Sequence, residues 1–165
     1  IADSRTMGVE SYVNFNLMHW IKPESKNQLR VFSNLAFIYS YYYNSLDIAI
    51  EGKFVEHVPL MTSKIGGNLV LGKFSTTIQT TFVSDQYTDA TNAETSPSSV
   101  IGRIPAYYVT DWSSSLRFSE DFKLSFGVNN LFNESYFTRR AGGYPGPGII
   151  PSPNRNFYLS IKLNV

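Results

Sequence analysis

The sequence lacks cysteine altogether and is poor in charge. With no Cys among its 165 residues, it has no disulfide framework, no thiolate nucleophile and no cysteine-based zinc or iron–sulfur site. Charged residues make up 16% of the chain and nearly cancel to a net charge of +1, whereas nucleic-acid binding would need a concentrated basic face. The two histidines, His19 and His57, lack the spacing of a metal site. We therefore expect neither a nucleic-acid partner nor a resident metal.

Long hydrophobic runs are also missing. The roughly 18 consecutive apolar residues that a transmembrane helix needs do not occur. The first residues, Ile1–Arg5, lack the basic and apolar segments of a signal peptide, and a start without Met is what a processed or partial polypeptide shows. Because only helices and closed barrels cross membranes, a membrane role would require a β-barrel.

Hydrophobic and aromatic residues are abundant, at 42% and 15% of the chain, which is too much for a disordered segment. They alternate with polar residues at a period of two, as in strands with one buried face. Near the end, for example, Leu159, Ile161 and Leu163 alternate with Ser160 and Lys162. The alternation predicts no helix and seven strands, at residues 6–17, 29–43, 64–71, 74–82, 108–118, 123–132 and 156–165.

Several predicted strands exceed the length of about 5–6 residues that is usual in soluble proteins. Twelve residues at roughly 3.3 Å each reach about 40 Å. Tilted by about 45°, they cover about 28 Å, enough to cross an apolar band about 25 Å tall. Strand length therefore favours a membrane barrel over a sandwich, whose sheets pack only about 10 Å apart.

The predicted connections alternate between short and long. The short ones are residues 21–28, 72–73 and 119–121, and the long ones are about 44–58, 85–105 and 134–155. In an antiparallel meander this places all long loops on one rim and all tight turns on the other, which is the asymmetry of outer-membrane barrels.

Aromatic residues stand near the predicted strand ends, which favours two interfacial girdles, although the β propensity of aromatics is an alternative explanation. They are Trp20, Phe74, Phe118 and Phe122 on the turn side, and Tyr39, Tyr41, Tyr43, Phe82, Tyr107, Tyr108 and Phe157 on the loop side.

Three motifs accompany these strands. They are G-x-x-N-L-F-[DN]-x-x-Y at Gly127–Tyr136 on the penultimate strand, S-R-x-x-G-x-E at Ser4–Glu10, and P-x-Y-x-x-x-D at Pro105–Asp111. Together they resemble the C-terminal end of TonB-dependent outer-membrane receptors. One departure is the last residue, because the family commonly ends in Phe and this chain ends in Val165.

The resemblance implies an all-β fold, an antiparallel transmembrane β-barrel segment. Residues 1–165 would be the C-terminal part of a single barrel domain, about the last third of a barrel of about 22 strands, with the plug domain and earlier strands absent. Seven strands alone would leave two open edges, and bacterial barrels have even strand numbers.

The resemblance also implies a location in the bacterial outer membrane and active uptake of a ferric siderophore or ferric citrate. The implied partners are outer-membrane lipid, the remainder of the barrel and the plug, a small iron chelate, and the inner-membrane energy-transducing protein reached through the missing N-terminal part. No cofactor is expected, since iron would be present only within the transported chelate.

The candidate ligand-binding residues lie in the predicted external loops. The segment Arg139–Pro151 is similar to the last external loop of ferric-citrate-type receptors, and arginines there could bind an anionic chelate. Contact with anionic lipopolysaccharide or simple solvation are the alternatives. The candidates are Arg103, Arg139, Arg140 and Tyr144.

Polar residues of the strands are expected to line the inner wall and face water or the plug. They are Glu10, Arg30, Lys64, Asp111 and Arg117. The acids of the long loops, including Asp85 and Glu94, lack a calcium-binding pattern and are interpreted as solvated.

Three other functions remain open at this stage. They are a passive porin-like channel, a soluble carbohydrate-binding β-sandwich, and an outer-membrane protease or lipase barrel. The last is disfavoured because no nucleophile–base pair has supporting spacing, so we expect no catalytic residues.

Overall fold

The computed structural model of the chain describes residues 2–143 and 146–164, and it is almost entirely antiparallel β-structure. Its main element is a seven-stranded sheet whose strands pair in the order in which they occur along the chain. These strands are β1 (Ala2–Asn16), β2 (Gln28–Ser45), β3 (Met61–Leu71), β4 (Phe74–Val83), β7 (Tyr107–Arg117), β8 (Phe122–Asn129) and β11 (Asn156–Leu163). The all-β fold class and the seven strands of the meander are thereby confirmed.

The long connections carry four short strands that alternation did not predict. Strand β5 (Gln86–Tyr87) pairs with β6 (Arg103–Ile104), and β9 (Phe137–Ala141) pairs with β10 (Gly148–Pro151). The tight turns lie at one rim of the sheet and these long connections at the other, as predicted.

The prediction of no helix was wrong over one short segment. A helix, α1 (Leu17–Ile21), follows β1 and is closed by a hydrogen bond from Lys22 N to Met18 O of 2.8 Å. Its residues include neither Gly nor Pro, and Pro23 disfavours helical backbone at the residue before it. Among the described residues, no helix combines the length and the apolarity needed to cross a membrane.

The end of β8 also differs from the prediction, which extended this strand to residue 132. The strand stops at Asn129, because Asn130 has a φ of 53°, a left-handed conformation that asparagine adopts more readily than most residues. The second half of the G-x-x-N-L-F motif therefore forms a corner and not a strand.

The strand register gives the sheet one apolar and one polar face. Residues that pair directly across strands share a face, so Ile78, Trp112, Val128 and Phe157 form one apolar row across four strands. The residues predicted for the inner wall all lie on the opposite, polar face; they are Glu10, Arg30, Lys64, Asp111 and Arg117.

No second layer covers the apolar face. Within residues 2–143 and 146–164, the only buried apolar side chains are Ile104 and Val128, while Leu159 is 66% exposed. A β-sandwich would bury these side chains between two sheets, so the sandwich alternative is wrong. A lipid hydrocarbon layer is the solvent that suits such a face.

Several polar atoms on the apolar face of β4 and β7 are paired with each other. The Trp112 indole N–H donates to the Thr76 hydroxyl at 2.9 Å, Ser114 donates to the same oxygen at 2.8 Å, and the hydroxyls of Thr80 and Thr110 lie 2.8 Å apart. An unpaired polar group in hydrocarbon costs roughly several kcal/mol. This pairing therefore lowers the free-energy cost of exposing these groups to lipid.

Aromatic rings are placed at both rims as expected, with one exception. Phe118 and Phe122 stack at 5.0 Å on the turn side, and Tyr39 lies 5.2 Å from Tyr41 on the loop side. Tyr107 instead shares the polar face with its partner Val83, so its assignment to an outward-facing girdle was wrong.

Candidate ligand-binding site

The long connections pack into one layer at the rim opposite the tight turns. We call residues 46–60, 84–106, 130–143 and 146–155 the external platform. The candidate ligand-binding residues Arg103, Arg139 and Arg140 belong to it, and the contacts that hold it together decide what each of them can do.

Arg103 is paired with two carboxylates inside the platform. Its Nε lies 3.2 Å from Glu94 Oε2, and its Nη1 lies 3.6 Å from Asp85 Oδ2. The interpretation of Asp85 and Glu94 as merely solvated acids was therefore wrong, although both remain partly exposed. Neighbouring Tyr87 belongs to the same cluster: burial raises the pKa of its phenol, and the charge of Glu94 adds to that effect.

Arg140 joins two parts of the platform. Its Nη1 donates to Ser99 O and its Nη2 to Arg103 O, both at 2.8 Å, and its guanidinium lies 5.3 Å from the centre of the Phe137 ring. Gly102, with a φ of 149°, permits this approach, because a Cβ there would come within 3.2 Å of the guanidinium carbon. Arg140 thus ties the β9–β10 hairpin to residues 84–106.

Arg139 lies on the opposite side of the same hairpin. Successive residues of a strand point to opposite faces, and Arg139 pairs with Ile150 on an exposed position. Its guanidinium makes no hydrogen bond or ion pair with another residue in the described part of the chain. Tyr144 lies outside the described residues. The ligand-binding role of the four candidates stays a prediction.

The sequence analysis did not predict the hydrogen bonds that hold the corner at Asn130. Asn130 is 3% exposed, and its side chain bonds both Glu134 N and Glu134 O at 2.8 Å. Its own N–H donates to Asp111 Oδ1 at 3.0 Å, so Asp111 holds this corner as well as lying on the inner face. The asparagine of the motif was the signal that could have indicated this corner, because asparagine is common in turns and tolerates positive φ.

Hydrogen bonds also join the first two loops of the platform, residues 46–60 and 84–106. Phe54 N donates to Asn92 Oδ1 at 2.7 Å, and Asn92 Nδ2 donates back to Phe54 O at 2.8 Å. His57 N also donates to Tyr87 O at 2.8 Å. Beneath these contacts, on the polar side of the sheet, lies a cavity of about 100 Å³ lined by Ile38, Ser40, Phe54, Val58, Leu60, Asp85, Gln86 and Tyr87.

Among the described residues, no group of three or more His, Asp or Glu is arranged to hold a metal ion. Among the three described candidates, Arg139 presents an exposed guanidinium, which suits an anionic ligand.

Comparison with known proteins identifies relatives of this sheet. The family model for the TonB-dependent receptor-like β-barrel matches residues 1–131. The structure is similar to the ferric citrate transporter FecA, with a TM-score of 0.86 and 22% identity over 97% of this chain. It is also similar to the ferric yersiniabactin uptake receptor FyuA from Yersinia pestis, with a TM-score of 0.75 and 18% identity over 97% of this chain.

A copper transporter, OprC, shares the fold with a TM-score of 0.72 and 19% identity over 98% of this chain. This chain spans about a quarter of the length of these proteins, covering 24% of FecA, 23% of FyuA and 24% of OprC. No curated protein sequence matches it significantly.

Proposed function

We propose a transport function for this chain on the basis of its family. The chain belongs to the TonB-dependent receptor β-barrel family, whose model matches residues 1–131. Members of this family are receptors of the bacterial outer membrane. Our proposal is that the sheet is part of the barrel wall of a receptor for active uptake of an iron chelate, and that it performs no enzymatic reaction.

The observation that supports this most directly is the two-faced single-layer sheet. Its apolar face is exposed along whole strands, as at Leu159 and Ile161, and its polar face carries Glu10, Lys64 and Asp111. Lipid on one side and a polar interior on the other account for both faces. The two outer strands, β1 and β11, each have one unpaired edge, where further barrel strands would add.

An iron chelate is the proposed cargo because two of the similar structures are receptors for ferric chelates. FecA is a ferric citrate transporter and FyuA a ferric yersiniabactin receptor. The copper transporter OprC shares the fold, so fold alone does not select the metal. Support for an anionic chelate comes from Arg139, which is exposed on the platform and has a guanidinium suited to bidentate carboxylate contacts.

Within the platform we propose different roles for the candidates. Arg139 is proposed to contact ligand, with Tyr144 a few residues further along the same hairpin connection. Arg103 and Arg140 are already engaged by carboxylates and carbonyls, so their proposed contribution is to hold the platform in shape, with ligand contact secondary.

The test is uptake by the receptor encoded by the full gene. It would be expressed in cells that lack their own iron receptors, and ⁵⁵Fe uptake would be measured from ferric citrate, a hydroxamate and a catecholate. We expect saturable uptake of one chelate that stops when the inner-membrane proton gradient is dissipated. Non-saturable uptake that ignores the gradient would instead indicate a passive porin, and no uptake of any iron chelate would reject the proposed cargo.

A further inference from the structure

One charged side chain stands on the apolar face of the sheet, near its loop-side rim. Arg5 pairs directly with Tyr41 and alternates along β1 with Met7 and Val9, so it shares their face. A charge on the lipid face of a barrel is destabilising unless it lies near an interface, so the depth of Arg5 decides what it can do. Apart from Asp3 at the end of β1, the other charged residues of the seven long strands lie on the polar face; they are Glu10, Arg30, Lys64, Asp111, Arg117, Lys123 and Lys162.

The length of β1 places Arg5 at the external boundary of the apolar band. Phe15 is the last residue on the apolar face of β1 at the turn-side rim. About ten residues at roughly 3.3 Å each separate it from Arg5, which gives about 33 Å along the strand. At a tilt of about 45° this covers about 23 Å, close to the height of an apolar band of about 25 Å. Arg5 therefore lies at the depth of the lipid headgroups, on the side of the long loops.

Tyrosine rings lie beside Arg5 on the same face. The guanidinium carbon is 5.1 Å from the centre of the Tyr43 ring, and the Tyr39 ring lies 5.2 Å from that of Tyr41. Tyr39 and Tyr43 are each 45% exposed. Stacking on an aromatic ring holds a guanidinium in place and leaves its N–H groups available for hydrogen bonds. We call Arg5, Tyr39, Tyr41 and Tyr43 the rim cluster.

The described part of the chain does not neutralise Arg5. The ion pairs closer than 4.0 Å among residues 2–143 and 146–164 all involve Arg103. Asp3, the nearest acid along β1, accepts a hydrogen bond from Asn44 Nδ2 at 3.1 Å and lies beyond ion-pair distance of Arg5. Within the same residues, the guanidinium of Arg5 and the phenol oxygens of the rim cluster make no hydrogen bond. The rim cluster thus offers several donors and one positive charge at headgroup depth.

Phosphate is the lipid group that matches these donors. A guanidinium binds phosphate through two parallel N–H···O bonds, and a phenol hydroxyl can donate a further bond. The long loops of outer-membrane barrels face outward, so the leaflet at this rim is the outer one, where lipopolysaccharide replaces phospholipid. The phosphates of lipid A, the membrane anchor of lipopolysaccharide, stand where its sugars meet its acyl chains, which is the depth of Arg5.

We propose that the rim cluster is a binding site for a phosphate of one lipid A molecule, whose acyl chains lie along Met7 and Val9 below it. The guanidinium of Arg5 contacts the phosphate, and the Tyr43 ring holds the guanidinium. This goes beyond the proposed function, from which it takes only the orientation of the sheet in the outer membrane.

The experiment is a lipid titration of the full-length receptor, purified from outer membranes, delipidated in detergent and analysed by native mass spectrometry. The probes are bis-phosphorylated lipid A, the same lipid A after enzymatic dephosphorylation, and phosphatidylglycerol. We expect the receptor to bind the phosphorylated lipid A several-fold more tightly than the other two. Arg5→Gln should weaken that binding about tenfold, because charge-assisted hydrogen bonds are lost, and should leave binding of the dephosphorylated lipid unchanged.

A neighbouring cation provides the matched control. Phe54 bridges Tyr41, so the preceding residue, Lys53, stands at the same rim but points to the opposite face. Lys53→Gln removes one positive charge there and should leave lipid A affinity unchanged.

Further variants separate charge from geometry. Arg5→Lys keeps the charge but loses the planar fork that binds phosphate through two bonds, so we expect an intermediate loss of affinity. Tyr43→Leu removes the ring under the guanidinium and should also weaken binding, whereas Tyr43→Phe keeps that ring and should weaken it less. If Arg5→Gln does not give the heat-modifiable band of a folded barrel, Arg5→Lys takes its place.

Three results would overturn the lipid A site. One is equal affinity for phosphorylated and dephosphorylated lipid A, the second is unchanged affinity in the Arg5 variant, and the third is equally tight binding of phosphatidylglycerol. Uptake measured in parallel separates this inference from the proposed function. A receptor that transports a chelate but shows one of these results disproves the lipid A site alone. A receptor with Arg5-dependent lipid A binding that transports no chelate disproves the transport proposal alone.

Discussion

The sheet and the external platform are held together in different ways. In the sheet, seven strands are joined by regular backbone pairing, and the apolar side chains are left exposed on one face. In the platform, individual side chains such as Asn130, Asn92 and Arg140 bond backbone atoms of residues far away in the sequence, namely Pro153, Phe54 and Ser99. The sheet therefore depends mainly on a repeating pattern of backbone pairing, whereas the platform depends on a few particular side chains.

The largest expected effect is at the Asn130 corner. Asn130→Ala removes three side-chain hydrogen bonds from a nearly fully buried position and leaves Glu134 N and Glu134 O without these partners. Because each unsatisfied buried group costs about 1–3 kcal/mol, we expect a loss of about 2–4 kcal/mol. Urea unfolding of the full-length receptor, followed by heat-modifiability on gels, would measure it. Asn129→Ala, at an exposed position, is the control and should change little.

The next largest effect is expected in the sheet, where substitution by alanine should change stability differently at two neighbouring glycines. A Cβ on Gly66 would lie 2.6 Å from Ile78 O and 2.5 Å from the Phe32 ring, whereas one on Gly67 meets nothing closer than 3.8 Å. We expect Gly66→Ala to destabilise the barrel by about 1–3 kcal/mol through overpacking.

Gly67→Ala, in contrast, should be neutral or stabilising by up to about 1 kcal/mol. The same urea unfolding experiment compares the two variants. Equal losses from both would contradict the prediction that the close contacts at Gly66 make it the less tolerant of the two positions.

The third prediction compares two adjacent arginines of the platform. Arg140→Ala breaks the bonds to Ser99 O and Arg103 O, and we expect a local loss of about 1–2 kcal/mol that makes residues 84–106 more accessible to protease on intact cells. Arg139→Ala should leave protease accessibility unchanged and instead reduce chelate affinity, measured as the concentration for half-maximal uptake. Unchanged affinity in Arg139→Ala would contradict its proposed ligand contact.

The smallest effect is expected from the ion pairs of Arg103. Its side chain is 44% exposed, and those of Asp85 and Glu94 are 46% and 62% exposed. Exposed pairs typically contribute about 0–1 kcal/mol, so Arg103→Gln should shift the unfolding midpoint slightly, and less still in high salt. A loss as large as that of Asn130→Ala would show that the platform depends on charge more than on buried hydrogen bonds.

The same contrast explains what the sequence could predict. Strand positions and the two faces follow from a local pattern of period two, and the lengths of the connections indicated which rim would carry long loops. The contacts of the platform link residues that are far apart in the sequence, such as Arg140 with Ser99 and Asn92 with Phe54, and no local pattern marks such pairs. Asp111 was predicted on the inner wall but not as an acceptor for Asn130 N, because the left-handed turn that brings them together ends the strand early.

The assignment of the sheet to a barrel wall requires that hydrocarbon lipid covers its apolar face. Residues 1–165 contain no cysteine, so single cysteines can be introduced in this segment at residues 75–82 of β4, which has a neighbouring strand on both sides. Spin labels at these sites in the full-length receptor, reconstituted in lipid, report collisions with oxygen in hydrocarbon or with a water-soluble nickel chelate. We predict high oxygen accessibility at residues 76, 78, 80 and 82 and low accessibility at 75, 77, 79 and 81. Loss of this alternation, or its reversal, would contradict the account.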